Sequence, residues 1–179
     1  MPVHKGGADR KVMDQQSIRN APFLTPPQDI EPGWIDYNGH LNMAYYLVLF
    51  DRGYDAVSAH LGMGERYAAE RRMTTYTGDA RVSYLREVHK DAQMVTTYQI
   101  LDHDEKRLHA FQEMRHASEG WLAATCETLT LHIDMAGPNV CPFPADVLAR
   151  VEAMAADHVL LPRPEGAGRP LGIRRRDPR

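Results

Sequence analysis

One stripe of apolar residues is the clearest pattern in the chain. Over residues 43–61, apolar side chains recur at steps of three and four residues, the spacing of one face of an α-helix. Gly62 and Gly64 follow, as is common after a helix C-terminus. The sequence therefore predicts an amphipathic helix over 43–61. Its buried face is expected to consist of Leu47, Phe50, Tyr54, Val57 and Leu61.

From residue 74 onward the pattern changes to one typical of β-strands, rich in Thr, Tyr and Val and partly alternating. Polar turns separate the segments. A further strand is expected over 23–30, where Pro26 and Pro27 confine it to a sheet edge. Short helical patterns lie near 65–71 and 145–156. The four long strands are predicted over 74–88, 91–101, 108–115 and 121–134.

The order of these elements predicts an α+β fold. A helix this apolar on one face needs a sheet to pack on, and a curved antiparallel sheet wrapped around a long central helix provides it. We expect a flexible leader at 1–21, a folded domain at 22–158 and a flexible Arg/Pro/Gly-rich tail at 159–179. Because exposed sheet edges invite pairing with a second copy, we expect a homodimer.

Composition excludes several classes of protein. The 179 residues carry a net charge of −3. Residues 163–179 carry a net charge of +4, so the rest of the chain is more acidic than the total suggests. A solvated tail explains this asymmetry better than nucleic-acid binding, which has no other support. The longest apolar run, 43–50, is too short for a bilayer. With only Cys126 and Cys141, no disulfide framework is expected, and we predict a cytoplasmic protein that binds neither membrane nor nucleic acid.

A dense polar motif directly precedes the predicted helix. Asp36, Asn38, His40 and Asn42 occupy every second position. Such groups are costly to bury unless they hydrogen-bond one another or act on a ligand. The helix start adds unpaired N–H groups and a positive dipole end. The motif therefore predicts a site that activates water and stabilises an oxyanion.

The residues suggest roles for each group. Asp36 could act as general base or attack a carbonyl itself, and His40 could share the proton transfer. Asn38 and Asn42 could orient water or substrate, and the N–H groups of 41–44 could receive the oxyanion. Structural roles compete with these, because Asp and Asn are ordinary N-caps and Asn-Gly is an ordinary turn pair. The combination favours a functional site.

The spacing Asp-x-Asn-x-His-x-Asn resembles the motif of hotdog-fold acyl-thioesterases, including plant acyl-carrier-protein thioesterases. Segments 34–46 and 84–87 are more similar still to betainyl-CoA thioesterases of carnitine breakdown. The resemblance covers about 23–158 and implies the hotdog fold. It also implies hydrolysis of an acyl-CoA with a short polar or cationic acyl group to free acid and CoA. No cofactor is implied beyond the CoA of the substrate, and the assembly would be a homodimer or a tetramer.

The chain departs from one pattern of this family. Other hotdog thioesterases place an essential Asp where this chain has Asn38, which leaves the role of base to Asp36. In many hotdog enzymes a residue of the partner subunit completes the site. Glu87, Arg81 and Arg86 are candidates for that role.

Aromatic residues surround the motif and suggest how substrate is held. Aromatic faces bind quaternary ammonium groups by cation–π attraction, which would suit a betaine, although such rings also pack half-buried around any helix start. Basic residues would be needed for the phosphates of CoA, and Arg86 is the preferred one. No metal site is expected. The candidate cage residues are Trp34, Tyr37, Tyr45 and Tyr46, and the other basic residues are Arg71, Arg72, Arg81 and Lys90.

Two other functions fit the same motif. An Asp–His pair can abstract a proton next to a carbonyl, which would make the protein an enoyl-CoA hydratase or dehydratase of the same fold. A non-catalytic module that binds acyl-CoA or a small amine would need no turnover.

Overall fold

The computed structural model describes residues 22–173; the predicted leader and the last six residues of the predicted tail lie outside this range. The described chain forms one seven-stranded antiparallel sheet and three α-helices. The helices are α1 (Met43–His60), α2 (Glu65–Arg71) and α3 (Ala145–His158). The strands are β1 (Phe23–Leu24), β2 (Gln28–Asp29), β3 (Met73–Tyr84), β4 (Gln93–His103), β5 (Arg107–His116), β6 (Leu122–Asp134) and β7 (Asn139–Val140).

The sheet has the order β1-β4-β5-β6-β3, with β2 also on β4 and β7 also on β6. The expected strand over 23–30 is two short strands on the free edge of β4, separated by Pro26 and Pro27. The predicted edge placement is confirmed. The strand is interrupted at the two prolines because proline lacks the N–H group that a β-ladder hydrogen bond needs. At the opposite edge, β6 is the one strand within residues 22–173 that pairs with β3.

Helix α1 buries most of the predicted face and departs from it only near its start. Phe50, Val57 and Leu61 are at most 2% exposed, as predicted. Leu47 is 44% exposed, and Tyr46 and Leu49, at most 4% exposed, are buried in its place. The prediction that Leu47 belongs to the buried stripe is therefore wrong. Apolar residues fill most positions of the first turns of α1, so two helical phases fit the sequence there. Packing against β4 selects the phase that buries Leu49.

The chain leaves the sheet earlier than the sequence predicts. Strand β3 ends at Tyr84, so the predicted strand 74–88 is too long by four residues. The N–H groups of Leu85 and Arg86 both donate to the carbonyl of Ala123. Beyond them the Val88 carbonyl accepts from Leu41 N–H at 2.8 Å. Segment 85–90 therefore runs beside the polar motif.

Two apolar clusters form the core. The first lies under the polar motif and joins α1 to β4, β5 and β6. Its buried members include Ile30, Trp34, Leu41, Tyr46, Leu49 and Val88. The second cluster joins the far end of α1 to α2 and α3. The motif is thus mounted on packed side chains rather than on a detached loop. Among the described residues, no helix combines the length and the apolarity needed to cross a bilayer.

Part of the predicted flexible tail contacts the sheet. Glu127 on β6 accepts a hydrogen bond from Gly168 N–H at 2.9 Å. Arg81 on β3 donates to the Gly166 carbonyl at 2.7 Å and pairs with Glu127. We call Arg81, Glu127 and the residues they hold, 166–169, the tail clamp.

Candidate active site at the start of helix α1

The polar motif forms a tight hairpin. Ile35 and Leu41 make an antiparallel bridge, and Asp36 N–H donates to the His40 carbonyl at 2.8 Å. Gly39 N–H donates a hydrogen bond to the Asp36 carbonyl at 3.0 Å, and Gly39 has a φ of +82°. Only glycine adopts that backbone conformation without steric cost, so the Asn-Gly pair is a turn signal as well as part of the motif.

Asp36 holds this hairpin together. Its Oδ1 accepts from Asn38 N–H at 2.8 Å and from His40 N–H at 3.3 Å. Partial burial pushes the pKa of Asp36 up, but these hydrogen bonds outweigh it and set the pKa below its ordinary value. Asp36 is therefore a carboxylate at neutral pH. The side-chain amide of Asn38 also lowers this pKa, so the carboxylate serves the turn through Oδ1 and interacts with the Asn38 amide as well.

Asn42 is the N-cap of α1. Its Oδ1 accepts from Ala44 N–H at 3.0 Å. The N–H of Leu41 is taken by Val88 and that of Asn42 by the Trp34 carbonyl at 2.9 Å. The expectation that the N–H groups of 41–44 together receive an oxyanion was therefore too broad. Within the part of the chain that the structure describes, only Met43 N–H at this helix start lacks a partner.

His40 lies beside two residues of segment 85–90. Its Nε2 is 3.2 Å from Glu87 Oε2. Its ring centroid is 5.0 Å from that of His89, edge to face. One ligand atom from each of these three residues lies within 4.8 Å of the others. Glu87, considered above as a contribution from a partner subunit, thus meets His40 within one subunit. His89 was missed, because no sequence spacing links it to the motif.

The Glu87 carboxylate favours the His40 tautomer with its hydrogen on Nε2, since that hydrogen can then be donated to Glu87. The Nδ1 atom keeps its lone pair and can accept a proton. His40, Glu87 and the Asp36 carboxylate thus place a base and two anionic oxygens beside the positive end of α1.

The four predicted cage residues divide between core and surface. Trp34 stacks on Tyr45 with centroids 5.1 Å apart, and the Arg52 guanidinium lies 4.7 Å from the Trp34 ring. Tyr46 is 4% exposed and Tyr37 is 97% exposed. These rings do not form one cage within the subunit. Burial raises the pKa of Tyr46, whose hydroxyl donates to the Arg86 carbonyl at 3.4 Å.

The basic residues considered for CoA binding differ in availability. Arg71 makes a two-pronged ion pair with Asp146, and Arg81 is held in the tail clamp. The Arg86 guanidinium lies 4.2 Å over the Trp121 ring on an exposed surface. Arg86 is the one of these three whose charge is not neutralised by an acidic partner in the described chain.

A cavity of about 800 Å³ lies along α1 toward β3. All of its charged lining residues are acidic, two tyrosines also line it among small and polar residues, and Asp36 and His40 are not part of it. Burial and the nearby charge of Asp51 raise the pKa of Asp55, a sign of uncompensated negative charge. The lining includes Asp51, Tyr54, Asp55, Glu65 and Tyr76.

A family model of the thioesterase-like superfamily matches residues 30–151, which include the hairpin, α1 and the four long strands. The chain belongs to this superfamily. The thioesterase is 39% identical over 142 residues to a betainyl-CoA thioesterase of Pseudomonas aeruginosa, covering 79% of this chain and 89% of the relative. It is 34% identical over 171 residues to an L-carnitine dehydrogenase/betainyl-CoA thioesterase of Rhizobium meliloti. That match covers 96% of this chain but only 34% of the longer relative.

Solved structures support the fold of the thioesterase. A candidate thioesterase from Pseudomonas putida superposes with a TM-score of 0.74 at 27% identity, covering 86% of this chain and 98% of the other. A Staphylococcus aureus protein solved in complex with CoA gives a TM-score of 0.79 at 23% identity, covering 87% and 97%. The predicted hotdog fold and the predicted thioester hydrolysis are confirmed.

Proposed function

We propose that this thioesterase hydrolyses betainyl-CoA to betaine and CoA. The relative from Pseudomonas aeruginosa, which bears that activity in its name, supports the choice of substrate. The observation that carries the chemistry is the His40–Glu87 pair, 3.2 Å apart beside the N-terminus of α1.

In the proposed mechanism His40, rather than Asp36, acts as general base, because the Asp36 carboxylate is held by the turn and Glu87 orients the His40 ring. Glu87 accepts the Nε2 hydrogen of His40, and His40 Nδ1 takes a proton from water as its oxygen attacks the thioester carbonyl. The Asp36 carboxylate helps to orient that water. The tetrahedral oxyanion lies at Met43 N–H, favoured by the dipole of α1. When the C–S bond breaks, the protonated His40 returns its proton to the CoA sulfur.

The acidic cavity along α1 supports a cationic acyl group. Asp51, Asp55 and Glu65 attract a positive charge, and the rings of Tyr54 and Tyr76 suit a trimethylammonium group. Asp51 lies eight residues beyond Met43, which is about 12 Å along the helix. A betainyl group is only a few bonds long, so it cannot reach this cavity from the hairpin of the same subunit.

We therefore propose a homodimer in which the hairpin of one subunit faces the cavity of its partner. Strand β3 is a sheet edge with exposed apolar side chains at Tyr76 and Tyr84. Unpaired edges of this kind are suited to pairing with a second copy. In such a dimer Arg86 is the first candidate for the phosphates of CoA.

The experiment is free-thiol release from a panel of acyl-CoAs, including betainyl-CoA, acetyl-CoA and a long acyl-CoA. We expect betainyl-CoA to be the best substrate, and His40→Ala and Glu87→Gln to lower kcat about 10²–10⁴-fold. Asp36→Asn is expected to lower it as well. The matched control is His60→Ala, an exposed histidine at the other end of α1, which should leave the rate unchanged.

Other outcomes would contradict the proposal. Undiminished hydrolysis in His40→Ala and Glu87→Gln would remove the site assignment. Loss or gain of enoyl-CoA absorbance without thiol release would establish a hydratase. Saturable binding of acyl-CoA by calorimetry with no turnover would establish a binding module.

A further inference from the structure

We propose that His40, Glu87 and His89 form a binding site for a divalent transition-metal ion of the Zn²⁺ class. Their ligand atoms lie within 4.8 Å of one another. Sequence spacing gave no reason to expect this site, because its ligands come from the hairpin and from segment 85–90. The structure joins them through the hydrogen bond from Leu41 N–H to the Val88 carbonyl.

The donor set selects the kind of ion. Two imidazoles and one carboxylate suit Zn²⁺ and its neighbours, whereas Ca²⁺ and Mg²⁺ prefer oxygen ligands throughout. Three protein ligands leave a fourth position open to water or another ligand. Donors around one tetrahedral zinc lie about 3.4 Å apart, so the cluster must contract slightly. Glu87 is 69% exposed and its side chain can make that adjustment.

The surroundings orient the His89 ring and fix the backbone that carries Glu87 and His89. His89 Nδ1 lies 3.4 Å from the Gly39 carbonyl oxygen, which sets the direction of the His89 ring. Val88, between Glu87 and His89, is fully buried in the core cluster beneath. Groups that orient a ligand ring in this way raise metal affinity because less freedom is lost on binding.

A bound ion would inhibit the proposed hydrolysis. This inhibition rests on the proposed function, whereas the metal binding itself does not. To bind the ion through Nε2, His40 must change tautomer: Nε2 gives up its hydrogen to solvent and Nδ1 takes one up, so the ring stays neutral and the Nε2 lone pair faces the ion. Glu87 then holds the ion instead of the His40 hydrogen. The base and its orienting carboxylate are both occupied, so the bound ion inhibits hydrolysis.

The test is calorimetric titration of Zn²⁺ into the full chain after removal of metals with a chelator. His89→Asn keeps a side-chain N–H for the Gly39 carbonyl but lacks the imidazole lone pair. We expect this variant to bind Zn²⁺ at least tenfold more weakly, since even outer-shell changes cost about 10–100-fold. Glu87→Gln should weaken binding as well. His60→Asn, the same change at an exposed histidine outside the cluster, should bind like the wild type.

Activity and absorption give separate readouts. His89→Asn should lose inhibition by Zn²⁺, measured as the ratio of its own hydrolysis rates with and without the ion. Equal Zn²⁺ affinity in His89→Asn and wild type would overturn the proposal, as would a thiolate charge-transfer band after Co²⁺ addition, which would place the ion at a cysteine. If the proposed hydrolysis is absent, the inhibition readout disappears but the calorimetric comparison remains decisive.

Discussion

Single residues of the polar motif combine a structural role with a chemical one. Asp36 closes the turn through Oδ1 as a carboxylate beside His40, and Asn42 caps α1. Turn and cap chemistry is local, so the sequence predicted both roles as alternatives to catalysis. The partners of His40 are distant in sequence, and only the structure identifies Glu87 as its carboxylate.

Gly53 is a residue whose importance depends on a neighbour across the core. A Cβ built at Gly53 would lie 2.2 Å from Thr96 Oγ1 on β4. That hydroxyl is hydrogen-bonded to Thr25 Oγ1 at 3.0 Å, so it cannot move without breaking a buried pair. Gly53→Ala gains about 1 kcal/mol of helix propensity, but overpacking costs about 1–3 kcal/mol. We expect the variant to be less stable than wild type in urea unfolding.

Two variants check this explanation. A Cβ added at Gly33 would have no neighbouring atom within 4 Å, and the φ of Gly33 is an ordinary one, so Gly33→Ala should be close to neutral. Adding Thr96→Ala to Gly53→Ala removes the clashing hydroxyl, and the two changes should cost less together than their sum. Strict additivity would show that the clash is not the cause.

At the scale of elements, the path of the chain between strands decides the site. The sequence predicted α1, α2, α3 and the four long strands because their periods are local properties. It extended β3 to residue 88, whereas the chain leaves the sheet after Tyr84 and returns to the motif. This departure brings Glu87 and His89 to His40. Nothing in the local pattern of residues 85–90 indicates where they lie.

The tail clamp gives a pH-dependent prediction. Burial pushes the pKa of Glu127 up, but hydrogen bonds from Gly168 and His109 and the charge of Arg81 outweigh it and lower the pKa below its ordinary 4.5. A lowered folded-state pKa means that Glu127 stabilises the fold above about pH 4.5, and that this stability is lost as pH falls through the folded value. Glu127→Gln should therefore cost about 1–3 kcal/mol at neutral pH.

Urea unfolding at neutral and acidic pH measures this effect. The difference between wild type and Glu127→Gln should shrink toward zero in acid. Glu70→Gln is the control, because Glu70 makes an exposed ion pair with Arg66 and should cost under about 0.5 kcal/mol. A Glu127→Gln difference that is independent of pH would contradict the charge-based explanation.

At the scale of the whole molecule, the proposed dimer can be tested by mixing variants. His40→Ala disables the hairpin, and Asp51→Asn with Asp55→Asn disables the cavity. If each site combines a hairpin and a cavity from different subunits, a mixed dimer has one site with both defects and one intact site. We expect each variant alone to hydrolyse betainyl-CoA poorly, and subunit exchange between them to restore activity.

Light scattering and a surface variant complete this test. Light scattering of the wild type should give twice the 20.3 kDa mass of one chain. For Tyr76→Lys on the β3 edge, the measured mass should shift toward that of the monomer. Mixing two batches of the same variant should restore nothing. A monomeric and fully active wild type would rule out the shared site.

The sequence by itself determined the periods of the elements, the turn and cap within the motif, and hence an α+β sheet around a long helix. These features follow from interactions between residues close together in the chain. Only the tertiary structure decided which side chains of the first turns of α1 are buried, that Gly53 must stay small, and that Glu87 and His89 meet His40. Each of these depends on contacts between segments far apart in sequence, which local periodicity does not encode.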